Sequence, residues 1–93
     1  MVEMSNNVIY VGRKPLHRYC SAIINVLNEY PTAKLLARGN AISRAVDAVE
    51  VIRNRYLDGV EVKSIEIGTE TLASSFGDVR NVSNVTIVLE MNS

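Results

Sequence analysis

The chain has 93 residues, 47% of them hydrophobic, with ten lysines and arginines balanced by ten aspartates and glutamates, which bounds it to one folded domain over residues 1–93 with a modest stability margin. No apolar run approaches the roughly 20 residues that cross a bilayer, and the start Met-Val-Glu-Met-Ser-Asn-Asn has neither the basic region nor the apolar stretch of a secretory signal. One cysteine, Cys20, and one histidine, His17, are too few for an internal disulfide or for a zinc site built from those ligands, so the expectation is a cytoplasmic protein with no membrane partner, metal or cofactor.

Val8-Ile9-Tyr10-Val11 is a short apolar run bounded by Asn7 and Gly12 and predicts a buried strand. From Pro15 to about Asn28 the apolar positions Leu16, Tyr19, Cys20, Ile23, Ile24 and Leu27 recur at helical spacing, and Pro31 stops the helix. Ala33 to Ala37 reads as a second strand. Asn40 is a plausible N-cap for a second helix, whose Ile42, Ala45, Val46, Val49, Ile52 and Tyr56 share one face until Asp58-Gly59 ends it; Ala41, Ala48 and Val51 add a second apolar flank. After Gly59 the period changes to 2. Val60 and Val62 alternate on one phase and Ile65 and Ile67 on the other, which predicts a bulge near Lys63-Ser64. Val85, Ile87, Leu89 and Met91 form the last strand. Between them, Gly68 to Asn84 is poor in apolar residues and reads as the outer part of a long projecting hairpin. The order is βαβαββ, an α+β arrangement.

Two places in this order concentrate cations at helix starts. Gly12-Arg13-Lys14-Pro15 precedes the first helix, and Arg38-Gly39-Asn40 followed by Arg44 opens the second. A helix start is already electropositive through its unpaired N–H groups and macrodipole. Arg38 and Arg44 there oppose helix stability unless an anion arrives, and phosphate is the natural one. Net neutrality hides a division along the chain: Arg13 to Tyr56 holds eight cations against three anions, and the remainder two cations against seven anions. If the fold keeps the first group on one face, the molecule has an anion-binding side and an acidic side.

Taken together, Gly12-Arg13-Lys14-Pro15, then Ala37-Arg38-Gly39-Asn40-Ala41-Ile42-Ser43-Arg44-Ala45-Val46-Asp47, then Val51-Ile52-Arg53-Asn54-Arg55-Tyr56, resemble in residues and spacing the Alba family of small archaeal chromatin proteins, over roughly Asn7 to Glu90. The resemblance implies a two-layer domain similar to the C-terminal domain of a bacterial translation initiation factor, with a four-stranded mixed sheet and two helices. It also implies a dimer that binds double-stranded DNA, and often RNA, with little sequence preference while its hairpins reach along the grooves. Arg13 and Lys14 stand at the family's two contacting lysines. Because the first of those lysines is the one associated with acetylation control, Arg13 keeps the charge but not that modification. Arg38 and Asn40 flank Gly39 where the family has Arg-Gly-Arg, and Arg44 stands at a further family cation. The hairpin is less basic than in many relatives, with Arg80 set against Glu70 and Asp78. Tyr56, with Leu57 beside it, falls where the family carries an aromatic used between dimers.

Other residues have plainer readings. Arg44 with Asp47 and Glu50 with Arg53 lie at i and i+3 and suit ordinary surface pairs. Tyr19 and Cys20 belong to the apolar face of the first helix. Phe76, at the hairpin tip, is expected to fold back onto the body. Catalysis has little support: one histidine without a nucleophile motif makes no triad, and no phosphate-binding or dinucleotide glycine pattern occurs. What the resemblance implies is a non-enzymatic, chromosome-associated protein that coats, compacts or bridges duplex DNA as a dimer, a homodimer or a heterodimer with a paralogue, and also binds RNA. The alternatives are an RNA-binding subunit of a ribonucleoprotein and a structural heterodimer partner of a more basic paralogue.

Overall fold

Alternation along the strands sends one side chain in two beneath the helices and the next onto the open side of the sheet, so the chain folds as two layers. The computed structural model describes residues 2 and 4–92. In chain order the elements are β1 (Met4–Ser5), β2 (Val8–Tyr10), α1 (Leu16–Glu29), β3 (Thr32–Arg38), α2 (Ala41–Val51), a π-helical turn (Ile52–Tyr56), β4 (Val60–Ala73) and β5 (Val79–Met91). The sheet runs β1-β2-β3-β5-β4, with β2 and β3 parallel and the other neighbours antiparallel. The α+β class and the order βαβαββ hold, with one correction: the sheet has five strands rather than four. Met4 and Ser5 turn back onto Ile9 and Val8 through Asn6, which takes a positive φ of 57°. Two residues are too few to display a period of 2, so only the Asn6-Asn7 turn chemistry marks this strand in the sequence.

The core lies between the sheet and the helices. Ile9, Leu35, Ile87 and Leu89 from the strands pack with Tyr19, Ile23, Ala45, Ala48, Val49 and Ile52 from the helical layer, all buried. The face of α1 differs slightly from expectation: Ala22 and Val26 are buried while Leu16 and Ile24 pack only partly. In α2 the buried line is Ala45, Ala48 and Val49, continued by Ile52 of the π-helical turn, whereas Val46 is 43% exposed. Beyond Val51 the helix widens into the π-helical turn, closed by the Leu57 N–H donating to the Ile52 carbonyl at 2.9 Å. This i→i+5 closure breaks the 3.6 spacing. Tyr56, expected on the buried face, is consequently 60% exposed, and Leu57 packs partly against the core instead.

The expected phase slip falls where Val62 pairs with Leu89 and Ser64 with Val88, leaving Lys63 as the extra residue. Beyond it the ladder runs unbroken to Ala73 and Val79, and this arm stretches the molecule to 49 × 25 × 22 Å. At the tip the Ser74 hydroxyl accepts hydrogen bonds from the Phe76 and Asp78 N–H groups, both at 3.2 Å, and Gly77 takes the left-handed conformation, φ 87°, that closes the turn. Phe76 does not fold back: it is 92% exposed, because the arm carries the tip past the body.

Candidate nucleic-acid interface

The cation-bearing segments follow the ends of β2 and β3, which are parallel neighbours, so both turns emerge at one end of the sheet. The turn after β2 is fixed by a residue of α1. Tyr19 keeps its ring in the core, 2% exposed, and its hydroxyl accepts hydrogen bonds from the Gly12 N–H at 2.8 Å and the Lys14 N–H at 3.1 Å. A buried tyrosine generally finds a partner for its hydroxyl; here the partner is the backbone that presents Arg13 and Lys14. The Arg44 guanidinium, from the second turn of α2, donates through Nη1 to the Lys14 carbonyl and ties the two turns together. Among the described residues Arg44 makes no ion pair with Asp47, while Arg53 and Glu50 do pair, at 3.7 Å.

The turn after β3 depends on Gly39, whose φ of 57° is unfavourable for a side chain. Asn40 sits at the N-cap of α2 with φ −66° and ψ −15°, already helical, and its side chain makes no capping hydrogen bond. The position matches the expectation and the capping role does not: a residue with helical dihedrals lacks the extended geometry that aims its side chain back at the first turn. The Ile42 N–H at the α2 start donates instead to the Gly39 carbonyl at 3.2 Å, and Asn40 and Ala41 border the same space as Arg38 and Arg44.

That space is an open cleft of about 1340 Å³, larger than the roughly 300–1,000 Å³ of a small-molecule pocket. All six residues nominated from the sequence line it: Arg13, Lys14, Arg38, Asn40, Arg44 and Arg80. They come from the turn after β2, the end of β3 and the turn that follows it, α2, and the hairpin arm. Arg80 reaches the cleft because β5 crosses beside β3, its even-numbered residues on the open face with Arg38. Among the described residues five cations thus line the cleft with one carboxylate, Glu70, whose Oε1 lies 3.6 Å from Arg38 Nη1. Tyr56 and Leu57 do not line the cleft; Tyr56 stands exposed on the π-helical turn with Arg53 and Arg55.

Sequence reasoning missed three participants. The Tyr19 hydroxyl is hidden within an apolar helical pattern whose only hint is that a tyrosine occupies a core position. Glu70 meets Arg38 through a strand register that local patterns do not encode. Tyr10, read only as part of a buried strand, is 42% exposed on the open face and lines the cleft.

Comparison with known proteins shows the family and the fold. The sequence model of the family described as Alba matches residues 7–69. The chain is 48% identical over 86 residues to the DNA/RNA-binding protein Alba of Methanocella arvoryzae, covering 91% of this chain and 90% of that one. It is 46% identical over 85 residues to the protein of the same name from Methanothrix thermoacetophila, covering 90% and 94%. Among solved structures, Alba from Thermoplasma volcanium superposes with a TM-score of 0.84 at 35% identity, over 90% of this chain and 99% of that one.

Proposed function

The chain belongs to the Alba family, and from that premise we propose that it is a sequence-tolerant nucleic-acid-binding protein that coats, compacts or bridges duplex DNA as a dimer and also binds RNA. The observation that carries this reading is the convergence of Arg13, Lys14, Arg38, Arg44 and Arg80 on one open cleft beside the start of α2. Cations at a helix start are placed for phosphate rather than for base edges, and phosphate contacts fix position without reading sequence. The relatives named as DNA/RNA-binding proteins support the same ligand class. On this reading the protein works without catalysis, associated with the chromosome.

Dimerisation is supported by apolar surface on the helix side of the sheet. Ile65 and Ile67 pair with Ile87 and Val85 and so project from the face that carries the core, yet they are 58% and 86% exposed. A second copy covering them would place two clefts and two hairpin arms in one particle. Tyr56 and Leu57 are assigned to a weaker contact between dimers, with Tyr56 the exposed anchor. The test is a mobility-shift titration with several unrelated duplexes of equal length and with duplex RNA. Similar affinities across DNA sequences are expected; one strongly preferred sequence, or no binding at low salt, overturns the proposal.

A further inference from the structure

Resting on that nucleic-acid-binding reading, we infer that the open sheet face beside the cations is a seat for an unpaired nucleobase of a single strand, with Tyr10 as its stacking platform. Ile9 is fully buried beneath the helices, so the alternation of β2 turns Tyr10 to the opposite face, where it is 42% exposed. Tyr10 pairs with Leu36 and Leu36 with Thr86, giving a row across three neighbouring strands that lines the cleft. Arg38 lies two residues beyond Leu36 on β3, a step of about 6.6 Å in a strand, and pairs with Asn84. Within one cleft the chain therefore presents an aromatic ring, an aliphatic floor, side chains able to hydrogen-bond a base edge, and cations for the flanking phosphates.

Phosphate binding on a duplex gives this ring no task, because a duplex presents phosphates and groove edges while its base faces are stacked inside. Only a base freed from the stack offers a π-face to Tyr10. Hydrogen bonding from Asn84 or Thr86 to the base edge would follow the same logic, since those edges are open in an unpaired base. The seat also stays accessible in the proposed dimer: Ile65 and Ile67 project from the helix side of the sheet, and Tyr10 from the other. The shared chemistry is the nucleobase, and the sugar distinguishes RNA from single-stranded DNA.

The experiment compares the unchanged chain with Tyr10→Leu and Tyr10→Phe, by fluorescence anisotropy, on unstructured oligouridylate, oligothymidylate and a mixed-sequence DNA duplex. Tyr10→Leu should weaken single-strand binding about tenfold and duplex binding by a much smaller factor, with an equal loss on strand and duplex counting against the seat, while Tyr10→Phe should bind both as the unchanged chain does. Preference for the ribose or the deoxyribose strand in the unchanged chain identifies the source of the base. In parallel, an oligonucleotide carrying 5-iodouracil, photocrosslinked to the unchanged chain and mapped by mass spectrometry, should attach at Tyr10, a readout independent of the variants' folding. Undiminished single-strand binding by Tyr10→Leu, or crosslinks that avoid Tyr10 while duplex binding persists, overturns the seat alone. Failure of the unchanged chain to bind either strand or duplex removes the nucleic-acid reading as well.

Discussion

Arg38 Nη1 and Glu70 Oε1 lie 3.6 Å apart and join the end of β3 to the hairpin arm across the cleft. Both side chains are substantially exposed, 59% and 41%, so the pair contributes at most about 1 kcal/mol to stability. Its larger effect is on the ligand, because a carboxylate beside Arg38 occupies the guanidinium and repels an incoming phosphate. Glu70→Gln should strengthen duplex binding about threefold to tenfold at low salt, with a smaller gain at high salt, and leave the melting temperature nearly unchanged. Weaker binding by Glu70→Gln would mean instead that Glu70 holds Arg38 in its working position.

Salt dependence follows from the cation set. Five cations per protomer line the cleft, and a dimer that engages about 6–10 phosphates should lose roughly 10³–10⁵ in affinity between 50 and 200 mM salt. Arg13→Ala with Lys14→Ala should flatten that dependence and weaken all duplexes by a similar factor. Circular dichroism of the double variant should match the unchanged chain, since the Tyr19 hydroxyl and Arg44 hold this turn through backbone atoms that alanine retains. Loss of the helical signal would show that the side chains themselves support the fold.

Tyr19 connects core to site. Tyr19→Phe retains the buried ring and removes the acceptor for the Gly12 and Lys14 N–H groups. Leaving part-buried donors unsatisfied should cost about 1–3 kcal/mol of stability. The turn presenting Arg13 and Lys14 loses its anchor, so duplex affinity should fall several-fold. Hydrogen exchange at Gly12 and Lys14 is the direct measurement: faster exchange there with unchanged protection in α1 is expected, and unchanged exchange refutes the anchoring role.

The division between what is legible in the sequence and what is not has a physical basis. Pro15, Pro31 and Gly59 punctuate the chain through local backbone constraints, and the bulge at Lys63 is visible because a phase slip moves apolar residues to the other face. The cation cleft is legible because Gly12 and Gly39 close turns after strands that prove to be parallel neighbours. Features set by tertiary packing are not legible. Val46 and Tyr56 match helical periodicity, yet the packed face of α2 and the π-helical turn leave them exposed. Phe76 is apolar but sits on an arm with no body beneath it. Glu70 and Tyr10 join the cleft through sheet register and strand alternation, which place residues far apart in sequence on one open face.

Cys20 gives a pH prediction of definite sign. Burial raises its thiol pKa, outweighing a backbone hydrogen bond that lowers it. The native thiol therefore holds its proton more tightly than the unfolded one, which titrates near about 8.5. Its contribution to stability is complete below that value and is lost as pH rises through the raised native value. Unfolding titrations across the alkaline range should show stability declining, and Cys20→Ala should remove the part of the slope due to this group. A thiol reagent should modify the native protein slowly and the denatured protein at once; rapid native labelling would contradict the burial.

Ile67 tests the dimer. It is 86% exposed and projects from the helix-side face, so a charge there costs the isolated fold little but places an unpaired carboxylate within the proposed interface, where desolvation is expensive. Ile67→Glu should yield a folded monomer in sedimentation at micromolar concentration, where the unchanged chain is expected to sediment as a dimer without nucleic acid. Since the second cleft of a dimer binds at high effective concentration, the monomer should bind long duplex at least tenfold more weakly. Phe76→Glu is the control: it adds the same charge at an apolar position that is 92% exposed on the hairpin tip, away from the interface, and should leave the dimer intact. Dissociation by both variants would implicate net charge rather than the patch, and a dimeric Ile67→Glu would place the interface elsewhere.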